Sequence, residues 1–260
     1  MRILLTNDDG IHAEGLQVLY EVALTLTGNA DDIWIVAPNS EKSGVGHCIS
    51  LSSPVLLSQL DAKRYSVEGN PADCVLVGLH HLMTESKPDL ILSGVNRGNN
   101  SAENALYSGT LGAAMEGALQ GVLSVALSQY FGPLNVDTSD PFSAARNHAA
   151  SIINQILEDH PKDTAPYKLF YNVNFPPCPS ELVKGMQYTN QGFRENCNFG
   201  VTPIQSPARR QFMFVTGGNQ QIPTAQGSDA AANLDHYVSV TPMRADLTAH
   251  DVLAELKANA

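Results

Sequence analysis

The sequence predicts a protein of the α/β class, with a mainly parallel sheet flanked by helices. Three observations support this prediction: short, nearly continuous apolar runs recur along the first half of the chain, helical patterns separate several of them, and polar turn residues follow them. Apolar strands that alternate with helices are typical of a parallel sheet covered on both faces. With 260 residues, of which 43% are hydrophobic, the chain is long enough to bury a substantial core.

The first predicted elements are a strand, a helix and a second strand. The strand covers residues 2–6, where apolar side chains run into a turn, and the amphipathic helix covers residues 15–26. The second strand covers residues 33–37 and stops at Pro38. Asn70, which is followed by a proline, is typical of a helix N-cap and predicts a helix that continues to about residue 83.

Two further strands and a helix complete the predicted body of the sheet. Apolar runs at residues 90–93 and 122–127 predict buried strands. Between them, a helix rich in glycine and alanine begins near Thr110, and its small side chains would let it approach the sheet closely. The later elements are a helix at 142–157, a strand at 169–174, hairpins over 187–216, a strand at 237–242 and a helix at 249–258.

The regular alternation of strands and helices loosens after Pro133. We therefore predict an N-terminal domain over residues 1–132, which carries the candidate site, and a C-terminal completion over residues 133–260. The second segment contains the predicted hairpin arm. Such arms often mediate contacts between subunits, so we expect oligomerisation elements there.

The charge balance and the length of the apolar runs exclude several classes of partner. The formal net charge of −11 repels polyanions, so we expect no duplex nucleic acid partner. Each apolar run is far shorter than the roughly 20 residues that a membrane crossing needs. The N-terminus is unlike a signal peptide, and the four scattered cysteines lack the Cys-x-x-Cys spacing. We expect a cytoplasmic protein with reduced thiols and no membrane contact.

Three polar loops follow predicted strands, and they contain the candidate metal ligands. If these strands are neighbours, the loops meet at the sheet edge where α/β proteins bind ligands. Carboxylate, hydroxyl and amide oxygens, with no Cys or His at ligand spacing, favour a hard divalent cation such as Mg²⁺, Mn²⁺ or Ca²⁺. Such a cation would also neutralise two adjacent carboxylates. The side chains are Asp8 and Asp9, then Ser40 and Ser43, then Asn96, Asn99 and Asn100.

A second candidate feature is the start of the helix near residue 110. Ser108, Gly109 and Thr110 would place free N–H groups at a helix N-terminus, which attracts an anion such as phosphate. Gly44, in the segment Gly44-Val45-Gly46, could form a similar anion-binding turn. Both segments are also ordinary cap and turn sequences, as is the acidic turn at residues 7–10, so each signal is weak alone.

Familiar nucleotide and nucleophile motifs are absent from the sequence. No Gly-Lys-Ser/Thr follows a glycine loop, the glycine pair at 44–46 lacks the third glycine of a dinucleotide fingerprint, and no Gly-x-Ser-x-Gly is present. His47 and His236 could transfer protons, but a lone histidine is more often structural.

Taken together, several motifs resemble the SurE family, the stationary-phase survival proteins that act as metal-dependent nucleotidases. The resemblance extends over almost the whole chain. The matching segments are 2–11, with Asn7-Asp8-Asp9-Gly10, then 37–38 with 43–47, 69–73, 93–98, 107–110 and 238–242. Two positions depart from the family pattern. His236 stands where family members usually have glycine, and Gly227-Ser228-Asp229 differs slightly from the usual acidic stretch.

The resemblance implies a Rossmann-like N-terminal domain and a C-terminal part with an extended hairpin that builds dimers or tetramers. It implies removal of phosphate from nucleoside 5′- and 3′-monophosphates and, in some members, trimming of short polyphosphate. It also selects Ser43 rather than Ser40. The implied metal ligands are Asp8, Asp9, Ser43 and Asn96, and the implied phosphate contacts are Gly44, Asn96, Ser108, Gly109 and Thr110.

The mechanism that we expect is attack on phosphorus by a metal-activated water, with Asp8 or Asp9 as the base. Lys42 and Arg97 either draw in the anionic substrate or are solvated surface residues. Two other hypotheses stay open. One is an aspartyl-phosphate phosphatase, whose usual Asp-x-Asp spacing is absent, and the other is a catalytically silent nucleotide or metal sensor.

Overall fold

A nine-stranded sheet forms the centre of the molecule in the computed structural model, which describes residues 1–197, 199–205 and 210–259. Its strand order is β3-β4-β2-β1-β5-β6-β7-β11-β8. Two further strands, β9 and β10, pair with each other as a separate antiparallel hairpin. The strands are β1 (Ile3–Thr6), β2 (Ile33–Pro38), β3 (Leu57–Asp61), β4 (Arg64–Val67), β5 (Leu90–Arg97), β6 (Ser124–Gln129), β7 (Phe170–Phe175), β8 (Met186–Tyr188), β9 (Gly200–Gln205), β10 (Gln211–Thr216) and β11 (Val238–Met243).

The sheet is mainly parallel, which confirms the predicted fold class. Strands β4, β2, β1, β5, β6 and β7 run parallel to their neighbours, and β8 runs parallel to β11. The two antiparallel pairs are the β3–β4 hairpin and the pairing of β11 with β7. Because the central strands are parallel, the loops after β1, β2 and β5 all leave from the same edge of the sheet.

Helices cover both faces of the sheet. Alternate side chains of β1 point to opposite faces, so Ile3 and Leu5 belong to the core cluster that contains residues of α1 and α4. Leu4 belongs to the cluster on the other face, with residues of α2 and α3. The helices are α1 (Glu14–Thr27), α2 (Pro71–Val77), α3 (Gly109–Leu119), α4 (Ser143–Asp159), α5 (Asp229–Leu234) and α6 (His250–Ala258).

Most predicted elements form close to the expected positions, with three differences. Hairpins were predicted over residues 187–216, but Met186–Tyr188 pairs in parallel with β11, and only β9 and β10 form a hairpin. The helix that begins at Pro71 changes after Val77 into a wider π-helical turn, Gly78–Leu82. The β3–β4 hairpin was not predicted. It covers part of the sheet edge, where Tyr65 stacks on Trp34 with 6.1 Å between the ring centroids. Trp34 is half-buried and packs against the core cluster that contains Leu4.

The C-terminal half extends the same sheet and then leaves it. Strand β7 continues the parallel body, and β11 and β8 extend the sheet in the opposite direction. Every described residue of β9, β10 and α6 is partly or fully exposed. Within the described ranges, none of the helices combines the length and the apolar composition that a membrane crossing requires. All four cysteines are free thiols, and only Cys48 is exposed.

Candidate active site

A rigid turn after β1 presents the two acidic residues. The Asn7 side chain donates a hydrogen bond to the Gly10 carbonyl at 2.9 Å and accepts one from the Gly10 N–H at 3.2 Å. This two-way contact closes the loop locally, as an Asx turn does. Asp8 is buried at 4% exposure, and Asp9 is half-buried beside it.

The loop after β2 is attached to this turn and to the segment before α3. The Lys42 N–H donates to the Asp8 carbonyl at 2.7 Å, and the Gly46 N–H donates to the Tyr107 carbonyl at 2.9 Å. Ser43 lies between these two anchors, and its hydroxyl donates to Glu41 at 2.7 Å. The loop therefore holds Ser43 and Gly44 above the end of β1.

The end of β5 provides the third part of the site. The Arg97 N–H donates to Oδ2 of Asp9 at 3.0 Å, which joins the β5 loop directly to the acidic turn. The Asn96 side-chain amide donates to the Gly98 carbonyl at 3.0 Å. This contact orients the amide, so its carbonyl oxygen is left as an acceptor. The Arg97 guanidinium lies 5.4 Å from the ring centroid of Phe131.

The N-terminus of α3 closes the site on the fourth side. Ser108 is the N-cap, because its side-chain oxygen accepts a hydrogen bond from the Leu111 N–H at 3.1 Å. The Thr110 hydroxyl donates to Oδ1 of Asp8 at 2.7 Å. Gly109 is required for this approach, since a Cβ atom there would lie 2.9 Å from Cβ of Asp8. The first N–H groups of α3 therefore lie beside the buried carboxylate.

Both acidic side chains have raised pKa values. Burial is the main cause for Asp8, and together with the neighbouring charge of Asp9 it raises the pKa of Asp8 to about 7, although the Thr110 hydrogen bond opposes the change. Burial is also the main cause of the raised pKa of Asp9, with a further contribution from the charge of Glu41. Each carboxylate would be stabilised by a nearby positive charge.

Two adjoining cavities border these groups. A cleft of about 840 Å³ is lined by Asp8, Asn96 and Ser108, among others, and a smaller cavity of about 410 Å³ is lined by Asp9 and Glu41. Ser43 and Arg97 line both cavities. The fold thus brings the predicted residues of three loops and one helix to the same place, whereas the Ser40 hydroxyl turns to Asn39 at 3.2 Å.

Comparisons with known proteins agree with this geometry. The family model described as Survival protein SurE matches residues 3–198. The chain belongs to the SurE family. It is 58% identical to the protein named 5′-nucleotidase SurE of Ruegeria pomeroyi and 55% identical to that of Cereibacter sphaeroides, with 99% of each chain covered in both cases. The crystal structure of the SurE protein of Aquifex aeolicus superposes with a TM-score of 0.81 at 34% identity, over 99% of both chains.

The donor chemistry of this SurE site fits a hard divalent cation. In the described part of the chain, no group of three or more His, Cys, Asp or Glu side chains is arranged to hold a metal, so hydroxyl and amide oxygens must complete any such site. Oδ1 of Asp9 and Oδ1 of Asn96 accept no hydrogen bond from the described residues. Asp8, Asp9, Ser43 and Asn96 are the residues that could hold the ion.

The other two amides of the third loop have structural partners. Asn100 donates to the Ser128 hydroxyl at 2.8 Å and to the Thr110 hydroxyl at 3.3 Å. Asn99 accepts from the Arg194 guanidinium at 3.4 Å and from the Ser101 hydroxyl at 2.9 Å. Both residues line the large cleft, and their bonds fix its wall.

Sequence reasoning missed the partners that hold the site loops in position. His47 pairs with Glu116 of α3 at 2.7 Å, and Glu116 also accepts from Gln120 at 2.7 Å. Arg194 is almost completely buried, with bonds to Ser101 and Glu103. His47 lies 69 positions from Glu116, and Arg194 lies 91 or more positions from Ser101 and Glu103, so no local pattern could have identified these pairs. The part-exposed but paired His47 is the structural histidine that the sequence favoured.

Proposed function

We propose that the chain is a metal-dependent 5′-nucleotidase, a phosphomonoester hydrolase that acts on nucleoside 5′-monophosphates. The observation that carries this proposal is the contact of the acidic turn with the N-terminus of α3, made by the Thr110 hydroxyl on Asp8 at 2.7 Å. It brings carboxylate oxygens that could bind a cation close to N–H groups that could bind an anion, and phosphoryl transfer needs both. Full-length relatives at 55–58% identity that are named 5′-nucleotidase SurE support the same activity.

We propose that Asp8, Asp9, Ser43 and Asn96 bind one Mg²⁺ or Mn²⁺ ion, and the same oxygen donors would also accept Ca²⁺. The raised pKa values of both carboxyls support this assignment, because a bound cation would favour the ionised forms. When bound, the ion polarises a phosphoryl oxygen and lowers the pKa of a coordinated water.

The phosphate would be held mainly by the start of α3. Ser108 lines the large cleft, and its side-chain oxygen accepts from the Leu111 N–H, which leaves its hydrogen free to donate. Thr110 already stabilises Asp8, so it both supports the ligand and completes the anion site. The proposed contacts are Gly44, Asn96, Ser108, Gly109 and Thr110.

Either Asp8 or Asp9 could orient the attacking water. Each carboxylate has one oxygen held within the protein, Oδ2 of Asp9 by the Arg97 N–H and Oδ1 of Asp8 by the Thr110 hydroxyl, and keeps the other oxygen. The same arrangement would serve nucleoside 3′-monophosphates and short polyphosphate, because each offers a terminal phosphoryl group. We include these as secondary substrates.

We further propose a cytoplasmic homodimer or homotetramer, with no duplex nucleic acid or membrane partner. The exposed apolar side chains of the β9–β10 hairpin and of α6 support self-association. The net charge of −11 disfavours nucleic acid.

The decisive experiment measures phosphate release from AMP by the purified protein after chelation and after addition of Mg²⁺, Mn²⁺ or Ca²⁺. We expect the chelated protein to be inactive and at least one metal to restore turnover. Asp9→Asn should lower kcat by about 100-fold or more with an unchanged circular dichroism spectrum. The control Asp31→Asn, at an exposed position outside both cavities, should retain wild-type turnover. Near-normal activity of folded Asp9→Asn would refute the metal mechanism.

A further inference from the structure

Two aromatic rings from distant parts of the chain meet in the wall of the large cleft. Tyr107 and Phe199 pack edge to face, with 4.8 Å between the ring centroids and 63° between the ring planes. Both rings line the cleft, yet they remain 49% and 46% exposed. Aromatic side chains stabilise a folded protein mainly when they are buried. A half-exposed pair inside a cleft therefore leaves ring surface that a planar apolar ligand could cover.

The position of this pair relates it to the proposed phosphate site. Tyr107 immediately precedes Ser108, the N-cap of α3, and its carbonyl accepts the Gly46 N–H at 2.9 Å. The Tyr107 backbone is therefore fixed by the loop that carries Ser43. A ligand whose phosphate lies at the start of α3 would extend past Ser108 toward the two rings.

Neutral amides line the same wall. The Asn104 amide nitrogen donates to the side-chain oxygen of Gln220 at 2.7 Å, and the Gln220 amide nitrogen donates to the Gly218 carbonyl at 3.2 Å. Oδ1 of Asn104 accepts no hydrogen bond from the residues that the structure describes. Side-chain amides both donate and accept, which suits the mixed edge of a nucleobase better than a charged group would.

We propose that Tyr107 and Phe199 form a nucleobase subsite, in which the base stacks on the open ring surface and Asn104 bonds to its polar edge. This inference rests on the proposed nucleotidase function and names how the substrate is selected. Every base has a π face, so the subsite tolerates all bases and favours purines through their larger stacking surface. The subsite discriminates against phosphate esters that lack a base.

The test compares kcat/KM for AMP with kcat/KM for ribose 5-phosphate, which carries the same phosphate and sugar without a base. We expect the wild-type protein to prefer AMP by about tenfold or more. Tyr107→Leu and Phe199→Leu should each reduce kcat/KM for AMP by about tenfold, mainly through KM, and leave ribose 5-phosphate unchanged. Tyr107→Phe keeps the ring and should behave as wild type. The control Tyr167→Leu removes a ring of similar exposure, 45%, outside the cleft.

Equilibrium binding separates failure of this inference from failure of the proposed function. If the protein hydrolyses neither ester, the nucleotidase proposal fails, and calorimetric titration with AMP and with ribose 5-phosphate still reports on the subsite. Equal losses for both substrates in the leucine variants would mean that the rings only support α3, and unchanged AMP kinetics would mean that they do not contact the base. Either result overturns the inference.

Discussion

Every residue of β1 and β6 is buried, whereas every residue of β9 and β10 is exposed. The first two strands belong to the parallel body, where each side chain packs against helices on one face or the other. The described part of the hairpin arm is a two-stranded ladder, from Gln211 opposite Gln205 to Thr216 opposite Gly200. The site loops leave from the body, so their geometry is set by close packing, while the arm has surface to offer to another chain.

The two regions should therefore respond differently to added or removed volume. In the body, α3 lies so close to the loop after β2 that small residues are required at the contact. In the arm, a methyl group added at Gly200 would meet one side-chain hydroxyl. Apart from Val215, which lines the large cleft, the exposed apolar side chains of β9 and β10 would be covered if a partner packed there.

A matched pair of glycine substitutions gives the largest expected contrast. A Cβ atom at Gly112 would overlap the Gly46 carbonyl and lie 3.0 Å from Cα of His47, so Gly112→Ala must displace the loop that carries Ser43. We expect phosphate release from AMP to fall by about 100-fold, since a displacement of about 1 Å has that effect on positioned groups. At Gly200, in the arm, the new atom would meet only the Thr216 hydroxyl at 3.2 Å. Gly200→Ala should retain activity, and equal losses in both variants would contradict the comparison.

The body was also the more predictable region, for a physical reason. Buried parallel strands need continuous apolar runs, and the loops at their carboxyl ends need turn residues, so both leave local signals such as Asn7-Asp8-Asp9-Gly10. These signals located β1, β2, β5 and β6, and they predicted that the loops after β1, β2 and β5 would lie at the same edge of the sheet. Helix capping located the start of α3 in the same way, because Ser108 is the N-cap.

The features that the sequence did not predict either lie in weakly buried regions or depend on contacts between residues that are far apart in the sequence. The β3–β4 hairpin lies at the sheet edge, where residues 59–61 are exposed, so its hydrophobic pattern is faint. The contact of Tyr107 with Phe199 joins positions that are 92 residues apart, and that of His47 with Glu116 spans 69. Neither follows from a local rule, because each requires the register of the whole sheet.

The second test removes the apolar surface of the arm. Ile204, Phe212 and Phe214 lie on one face of the hairpin, since Phe212 pairs with Ile204 and alternate residues share a face. Phe212→Ser combined with Phe214→Ser should convert the proposed dimer or tetramer into a smaller species, measured by light scattering after size exclusion. Thr202→Ser, on the same face, is the control. An unchanged mass, or a monomeric wild-type protein, would refute the assignment of the arm to self-association.

The third test weakens one contact between the body and the site loop without adding volume. Glu116→Gln should lower kcat/KM for AMP about fivefold and the free energy of unfolding by about 1 kcal/mol, because a neutral amide pairs less well with the part-exposed His47. The control Glu85→Gln, at an exposed position, should change neither quantity.

The pH dependence of that stability difference has a definite sign. The hydrogen bond from His47 is the main cause of the lowered pKa of Glu116 in the folded protein. A carboxylate with a lowered pKa contributes stability above its ordinary value of 4.5, and this contribution is lost as the pH falls through the lowered pKa. Urea unfolding of wild type and Glu116→Gln should therefore converge in acid. A gap that widens in acid would exclude this role.

The smallest expected effect lies where the chain returns from the arm to the body. His236 follows α5 and adopts φ +66°, a left-handed conformation that costs a residue with Cβ about 1 kcal/mol and that glycine adopts without this cost. His236→Gly removes this strain but increases the freedom of the unfolded chain, which returns part of the gain. We therefore expect the free energy of unfolding to rise by about 0.5 kcal/mol.

Asn196, with φ +60°, is the matched control from the segment that leads into the arm, because asparagine tolerates this conformation. Asn196→Gly should give no gain. An equal gain at both positions would show that glycine stabilises this conformation whichever residue it replaces, and strain at His236 would then not explain the result.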